Sequence, residues 1–175
     1  MDEVVVKMAD CGVADIPGQV LVTFALGSCI GLTAYDPKAA VGGLLHFMLP
    51  DSTIDPARAR ANPYMFADSG IPLFLDRLYQ HGASKRRLIL HALGAAQMLD
   101  RQCAFEIGKR NHLAMRRILW KAGMLLRGEA VGGEESRTVR LEIGTGRVWF
   151  QQGGTQRELS PPVVRNGGNP WHIAS

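Results

Sequence analysis

Three apolar runs of strand length lie close together near the start of the chain, and they limit the folds open to it. They cover about residues 19–26, 29–35 and 41–49, and Asp36 with Pro37 marks a turn between the second and the third. Runs this apolar are typical of strands that are covered on both faces. We therefore expect a β hairpin in the interior of a layered protein, with other elements packed on both of its sides.

This hairpin carries one cysteine and one histidine. Cys29 follows the small residues Gly27 and Ser28 at the start of one strand, and His46 lies among aliphatic residues of the next. A thiol needs a nearby base or cation to become a thiolate near neutral pH, and histidine is the usual base. Because paired strands would bring the two side chains within reach of each other, the hairpin predicts a nucleophile and its base.

A threonine is the third candidate for this site. Thr23 lies six residues before Cys29, and an even spacing places two residues of one regular strand on the same face. We therefore expect the Thr23 hydroxyl to orient the imidazole of His46. The structural alternative is that both groups only fill the core, since free cysteine is among the most buried residue types. The spacing alone leaves both interpretations open.

Length and composition predict one ordinary globular domain. The 175 residues are 46% hydrophobic and 21% charged, enough for a sizeable core. No apolar run approaches the roughly 18 residues of a membrane span, and the start Met-Asp-Glu does not resemble a signal peptide, so we expect no membrane insertion. The three cysteines, at positions 11, 29 and 103, have neither disulfide-framework nor zinc-site spacing. A reducing cytoplasm without a bound metal is therefore expected.

The charge balance bears on partners. The net charge of +4 favours an acidic partner surface, but no nucleic-acid motif accompanies it, and we expect no nucleic-acid binding.

A helix is predicted from Ile107 to about Ala122, with Asn111 on its inward side, where an amide would bond to loop backbone. The inward stripe expected is Ile107, Ala114, Ile118 and Ala122. The opposite, basic side is either solvated or in contact with an acidic helical partner.

The remaining segments predict a loop, a helix, three strands and a C-terminal tail. Residues 11–18 are expected to form a loop, and a helix is predicted from Asn62 and Pro63 to Gly82, with Pro72 inside it. The last third alternates as antiparallel strands over about 124–131, 137–143 and 147–151. Glycine, proline and polar residues dominate from Gly153 onward. We therefore expect a single catalytic domain over 1–152 and a tail or extended arm over 153–175.

Motifs around the hairpin resemble a known family. Thr23-x5-Cys29 with Leu-Gly-Ser before the cysteine, followed by His46-x-Met-Leu-Pro-Asp-Ser, is similar to the chemoreceptor glutamine deamidase (CheD) family of bacterial chemotaxis. The similarity extends from about residue 4 to residue 150, and includes Ile-Gly-x-Arg-Asn111 and the late Gly-Gly turn with Arg137. It implies a cytoplasmic hydrolase without a cofactor, in which Cys29 is the nucleophile, His46 the base and Thr23 the residue that completes the site.

The resemblance also implies a fold, a substrate and partners. The fold is α+β, a layered α/β/β sandwich of mixed and antiparallel sheets with flanking helices, as in deamidase toxins of the cytotoxic necrotising factor type. The substrates are glutamines on the cytoplasmic helices of chemoreceptors. From the residues themselves, backbone N–H groups around Ser28 and Cys29 are the natural oxyanion donors, and Gly27 would let the substrate approach closely, so Gly27 and Ser28 are the candidate substrate and oxyanion residues. The alternative function is a regulatory binding module that engages a CheC-type chemotaxis phosphatase.

The chain departs from the family pattern at five positions outside the catalytic set. Where the family usually has Lys-x-Phe-Gly-Gly-Ala, it has His91-Ala-Leu93-Gly-Ala95-Ala, and Ala130 and Ser136 replace an aspartate and a glycine. We expect these departures to affect receptor or partner preference and to leave the chemistry intact. His91 could compete with His46 as the base, but it has no nucleophile near it in sequence and is interpreted as a core histidine.

Overall fold

The structure is a computed structural model that describes residues 2–97 and 106–162. Cys103 and most of the predicted tail lie outside the described residues. Within them, three α helices and ten strands follow one another along the chain. The strands are β1 (Asp2–Val5), β2 (Asp10–Ala14), β3 (Gln19–Leu26), β4 (Ile30–Asp36), β5 (Val41–Phe47), β6 (Ile89–Gly94), β7 (Leu126–Val131), β8 (Arg137–Glu142), β9 (Val148–Gln152) and β10 (Thr155–Ser160); the helices are α1 (Pro56–Ala61), α2 (Ala67–Gln80) and α3 (Ile107–Lys121).

The strands form two mixed five-stranded sheets. Sheet A has the order β1-β3-β8-β9-β10, and sheet B has the order β2-β5-β4-β6-β7. One pair in each sheet is parallel, β1 with β3 and β6 with β7, and the other pairs are antiparallel. The expected hairpin is confirmed: β4 pairs with β5 across the turn after Asp36, inside sheet B.

Two apolar layers hold the sheets and helices together. Phe74 of α2 and Met115 of α3 pack on one face of sheet B, where Leu45 lies. Leu44, its neighbour in β5, points the other way and packs with Val139 of sheet A, because successive side chains of a strand alternate between faces. Each large apolar side chain buried in this way stabilises the fold by about 1.5–3 kcal/mol. The predicted α/β/β layering is confirmed.

Two strands lie where none was expected. Residues 11–14 belong to β2, which pairs with β5, so the predicted loop over 11–18 is wrong for its first part. Pairing with β5 makes residues 11–14 a strand, because their own sequence lacks the alternation that predicts one. At the other end, β10 adds a polar and mostly exposed edge to sheet A beyond residue 152. An edge strand needs no apolar alternation, which explains why composition favoured a tail over 153–160.

The helices follow the predicted positions with two adjustments. Pro63 and its neighbours form a separate 3₁₀ turn capped by the Asn62 side chain, and the long helix starts only at Ala67. In α3 the fully buried positions are Gly108, Asn111, Met115 and Leu119, so the expected stripe is displaced by about one residue and its members lie at the flanks. None of the helices in the described ranges is both long and apolar enough to cross a membrane.

Candidate active site

The β4–β5 register brings the cysteine close to the histidine. His46 lies directly opposite Gly31, and Cys29 is the residue just before β4 begins, two positions from Gly31. Diagonal neighbours of this kind have Cα atoms about 7–8 Å apart and side chains on the same face. Both side chains are buried between the two sheets, with 8% of Cys29 and 1% of His46 exposed. The candidate nucleophile and base are therefore neighbours in one apolar layer.

Thr23 reaches this pair from the other sheet. It lies in β3 of sheet A, whereas His46 lies in β5 of sheet B. The expectation that Thr23 and Cys29 share one regular strand is wrong, because a bulge interrupts β3 after Thr23, where Ala25 has a φ of 55°, and the chain then turns between the sheets. The predicted contact is nevertheless present: Thr23 Oγ1 lies 2.7 Å from His46 Nδ1.

The hydroxyl of Thr23 also fixes the protonation of the imidazole. Its single proton is donated to the carbonyl oxygen of Val6 at 2.7 Å, so towards His46 the hydroxyl can act only as an acceptor. Nδ1 must then carry the imidazole proton, and Nε2 keeps its lone pair. That Nε2 atom is buried and has no hydrogen-bond partner among the described residues. The arrangement leaves a proton acceptor in the layer that contains Cys29.

Burial sets the resting charges of the site. It raises the pKa of the Cys29 thiol from 9.0 to about 11, against a smaller opposing effect of the residue's own backbone N–H. Burial also lowers the pKa of His46 from 6.5 to about 4. Both shifts favour the neutral forms. At neutral pH the site therefore holds a protonated thiol and an uncharged imidazole.

The backbone around Cys29 is held through its carbonyl groups. Ala95 N–H donates to the Cys29 carbonyl and Ala96 N–H to the Gly27 carbonyl, both at 2.8 Å. Asn111 Nδ2 donates to the intervening Ser28 carbonyl at 2.9 Å. With all three carbonyl oxygens engaged, the turn of residues 27–29 is fixed in a single orientation.

The turn that follows β6 contains two successive residues with positive φ. Gly94 has a φ of 109°, and a Cβ there would overlap the carbonyl oxygen of Cys29. Ala95, where the related family usually has glycine, also lies in the left-handed region with a φ of 50°, which is unfavourable for an alanine. The sequence reasoning did not identify this turn as part of the site, although its run of small residues was the available signal.

Three of the departures from the family pattern lie in strands β6 and β7. Leu93 is buried in the intersheet layer, and its registered neighbour in β7 is Ala130, which packs against the same layer. His91 is 2% exposed and pairs with Thr33 of β4; burial and then the charge of Arg127 lower its pKa to about 4. The interpretation of His91 as a core residue agrees with this burial.

No group of three or more histidine, cysteine, aspartate or glutamate side chains within residues 2–97 and 106–162 is arranged to hold a metal ion. The other described cysteine, Cys11, is also buried, and its thiol accepts a hydrogen bond from Arg77 at 3.0 Å.

Comparison with known proteins identifies the family of the chain. Residues 48–152 match the family model described as CheD chemotactic sensory transduction. A probable chemoreceptor glutamine deamidase CheD of Solibacter usitatus is 64% identical over 97% of this chain and 100% of its own length. The chain belongs to the CheD family. Its resemblance to that family, first indicated by the Thr23, Cys29 and His46 motif, is thereby confirmed.

Further CheD relatives come from distant organisms. A probable chemoreceptor glutamine deamidase CheD 1 of Syntrophus aciditrophicus is 48% identical over 91% of this chain and 100% of its own length. A probable chemoreceptor glutamine deamidase CheD of Pyrococcus horikoshii is 41% identical over 85% of this chain and 91% of its own length. The match to the family model begins at residue 48, after His46. The roles of Thr23, Cys29 and His46 are therefore argued from the geometry.

Proposed function

We propose that this CheD-family chain hydrolyses glutamine side-chain amides of chemoreceptors to glutamate and ammonia, with Cys29 as nucleophile, His46 as base and Thr23 as the residue that orients the base. The relatives described above are named for this activity. The observation that carries the assignment is the hydrogen bond from His46 Nδ1 to Thr23, which leaves Nε2 as a proton acceptor close to Cys29.

The resting charges determine how the attack begins. Because the thiol of Cys29 is protonated and His46 is neutral, His46 Nε2 takes the thiol proton as Sγ attacks the carboxamide carbon of the substrate. The tetrahedral intermediate collapses when the nitrogen receives that proton from His46 and leaves as ammonia. A thioester between Cys29 and the substrate glutamyl group remains. Water, deprotonated by His46, attacks the thioester and releases glutamate and the thiol.

The oxyanion of the tetrahedral intermediate needs preorganised donors. The carbonyl groups of residues 27–29 are engaged elsewhere, and the N–H of Gly27 donates to the carbonyl of Ala25 at 2.9 Å. The backbone N–H groups of Ser28 and Cys29 remain, and that of Cys29 also interacts with its own thiol. These two N–H groups are our candidates, and Gly27 allows the substrate to approach the turn closely. The predicted roles of Ser28 as an oxyanion donor and of Gly27 in substrate approach thus both rest on the backbone of this turn.

Helix α3 offers a surface for an acidic receptor helix. A groove of about 550 Å³ runs between the end of α3 and β7. Arg116, Arg117 and Arg127 line it together with Glu129, which pairs with Arg116 at 3.1 Å. Trp120 and Leu125 stand at its rim, 74% and 73% exposed. A partner that combines acidic residues with an apolar side chain would complement this surface. We propose the cytoplasmic helices of chemoreceptors as that partner, which places the protein in the cytoplasm.

Binding to a CheC-type phosphatase is a further proposal, drawn from the family resemblance alone. It predicts that such a protein, added in excess, competes with a receptor fragment for the enzyme. Deamidation would then slow as the phosphatase is titrated in.

The test of the proposed function is mass analysis of a chemoreceptor cytoplasmic fragment after incubation with the protein. Each deamidation adds about one dalton, since hydroxyl replaces the amide NH₂, and peptide mapping then locates the converted glutamine. We expect conversion with wild type and with Cys11→Ala, which changes a buried cysteine on the helix-covered face of sheet B and not in the layer that holds Cys29, but none with Cys29→Ala. Absence of conversion with wild type across several receptors would reject the deamidase, and conversion by Cys29→Ala would reject the nucleophile.

A further inference from the structure

Asn111 of helix α3 connects the two halves of the candidate site. Its side chain is fully buried, and its one amide nitrogen donates two hydrogen bonds, to the Ser28 carbonyl at 2.9 Å and to the Met48 carbonyl at 2.8 Å. Ser28 directly precedes the nucleophile, and Met48 lies two residues after the base. A single NH₂ group therefore links the backbone on the nucleophile side to the backbone on the base side.

The chemistry of this contact requires an amide. Two hydrogens on one nitrogen can serve two carbonyl oxygens at once, and a carboxylate or an apolar side chain of the same shape can serve neither. The orientation of the amide is also unambiguous, because a flipped amide would direct its oxygen at both carbonyls. The Oδ1 atom has no hydrogen-bond partner among the described residues. Burying it costs free energy, which the two bonds of Nδ2 must offset.

The backbone of α3 supports the same region by close packing. A Cβ at Gly108 would lie only 2.7 Å from the carbonyl oxygen of Ala95, so glycine is needed for the helix to approach this closely. Ala95 and the next residue bind the carbonyl groups of Cys29 and Gly27. The first turns of α3 thus contact the nucleophile turn directly through Asn111 and indirectly through Ala95.

We propose that Asn111 is a positioning residue that sets the location of Cys29 relative to His46. It does not touch the reacting atoms. It acts by fixing the Ser28 peptide, which leads into Cys29, against the end of the strand that carries His46. The proposal rests on the function proposed above, since it assigns Asn111 to the same nucleophile and base.

The test compares three variants of Asn111 with a matched control. Asn111→Leu keeps the approximate volume and removes both donors, Asn111→Asp keeps the shape and removes both donors when ionised, and Asn111→Gln keeps both donors on a longer stem. Leu78→Ala is the control, because Leu78 of α2 is buried in the same apolar layer as α3 and has no part in the bonds to the two carbonyls. For each protein, kcat and KM on a receptor fragment are measured per folded molecule, together with the rate of Cys29 alkylation as a function of pH.

We expect kcat to fall about tenfold to a hundredfold in Asn111→Leu and Asn111→Asp, as small misplacements of reacting groups do, with KM within about twofold of wild type. The pH dependence of Cys29 alkylation should shift in both variants. Asn111→Gln should lose less than both, and the isosteric Asn111→Asp keeps the test decisive if Asn111→Leu does not fold. Leu78→Ala should lower the melting temperature but keep the wild-type kcat and alkylation profile.

Wild-type kcat and alkylation in a folded Asn111→Leu or Asn111→Asp variant would overturn the proposal, and so would an effect of Leu78→Ala equal to theirs. A rise in KM with unchanged kcat would also overturn it, because it would indicate substrate contact instead of positioning. The alkylation measurement needs no substrate. The alkylation profile of the variants could therefore shift even if wild type deamidates no receptor. That result would reject the proposed function, but it would support the inference that Asn111 controls the position of Cys29.

Discussion

The Thr23 hydroxyl on sheet A lies 2.7 Å from the imidazole of His46 on sheet B. The same hydroxyl donates its proton to the carbonyl of Val6, so one threonine decides which nitrogen of the histidine carries the proton. The bond also spans the layer between the sheets that holds Cys29. The packing of the two sheets against each other therefore determines whether His46 has the tautomer that can accept a proton from Cys29.

Thr23→Val tests this relationship, since valine keeps the branched shape and removes the hydroxyl. Without its acceptor the Nδ1–H of His46 is buried and unsatisfied, and the imidazole can take the other tautomer or another rotamer. We expect kcat of the deamidation to fall about tenfold to a hundredfold, less than the roughly 10²–10⁴-fold that general base catalysis contributes, because the base is misoriented and not removed.

Thr23→Ser is the matched control because it keeps the hydroxyl, and it should retain most of the activity in the same assay. Equal activity of the valine and serine variants would show that the hydrogen bond has no part in the reaction.

Buried neutral histidines predict a loss of stability at acidic pH. Burial lowers the pKa of His46 and His91 from 6.5 to about 4. Between these values the unfolded chain binds more protons than the folded one, so stability is complete above about pH 6.5 and decreases as the pH falls towards 4. Each histidine accounts for about 3 kcal/mol over this window.

His91→Gln removes one of these titrations and tests the prediction. The free energy of unfolding in urea, measured at several pH values, should depend less steeply on pH in the variant than in wild type. The slope is the readout, since the substitution also changes the stability at neutral pH. Parallel curves for the two proteins would contradict the assignment of His91 to this pH dependence.

Replacement of Ala95 by glycine should stabilise the protein. Its φ of 50° lies in the left-handed region, where an alanine is strained by about 1–2 kcal/mol. Part of the relief is cancelled by the larger entropy of glycine in the unfolded chain and by the loss of the buried Ala95 methyl group. We therefore expect Ala95→Gly to raise the free energy of unfolding by up to about 1 kcal/mol.

Ala96→Gly is the comparison for this substitution, because Ala96 is buried and is not among the residues with positive φ. It should lose about 1 kcal/mol through the lost methyl group and the added entropy. Equal destabilisation by both changes, in thermal or urea unfolding, would contradict strain at Ala95.

Asp36 holds the end of the hairpin through a buried carboxylate. It accepts hydrogen bonds from the N–H of Ser84 at 2.8 Å and pairs with Arg87, also at 2.8 Å. Burial alone would raise the pKa of Asp36, but the Arg87 guanidinium and nearby backbone N–H groups outweigh it and hold the pKa below its usual value. We expect Asp36→Asn to lower the free energy of unfolding by about 2–3 kcal/mol, less than a fully buried pair because Arg87 is partly exposed.

Arg58→Gln provides a control for the Asp36 prediction. It breaks an exposed pair with Asp55 at 3.6 Å, and such pairs contribute well under about 1 kcal/mol. Urea unfolding of both variants measures the difference. A cost of Asp36→Asn no larger than that of Arg58→Gln would contradict the role of the buried pair.

The predictable part of the fold was the part with a strong local pattern. The apolar runs gave β3, β4 and β5 close to their observed bounds, and the periodicity of α3 located Asn111 on its buried side with bonds to loop backbone. In each case the local sequence and the packing require the same structure. The β4–β5 pairing also placed Cys29 near His46 without knowledge of the rest of the fold.

The wrong predictions concern features that depend on distant partners. The bulge at Ala25 moves Thr23 to another sheet than Cys29, and nothing in the spacing of the two residues indicates it. Strand β2 is ordered by its pairing with β5, since its own sequence lacks alternation. The Ala95 turn binds the nucleophile segment through backbone N–H groups, which leave no side-chain signal in the sequence.

The most direct test of the central claim is alkylation of the wild-type protein under conditions of partial reaction. Deamidase activity on a receptor fragment is measured in samples whose modification of Cys29 and Cys11 has been quantified by peptide mapping. We expect the remaining activity to equal the unmodified fraction of Cys29, and to be independent of Cys11. Activity that persists when Cys29 is fully alkylated would contradict its assignment as the nucleophile.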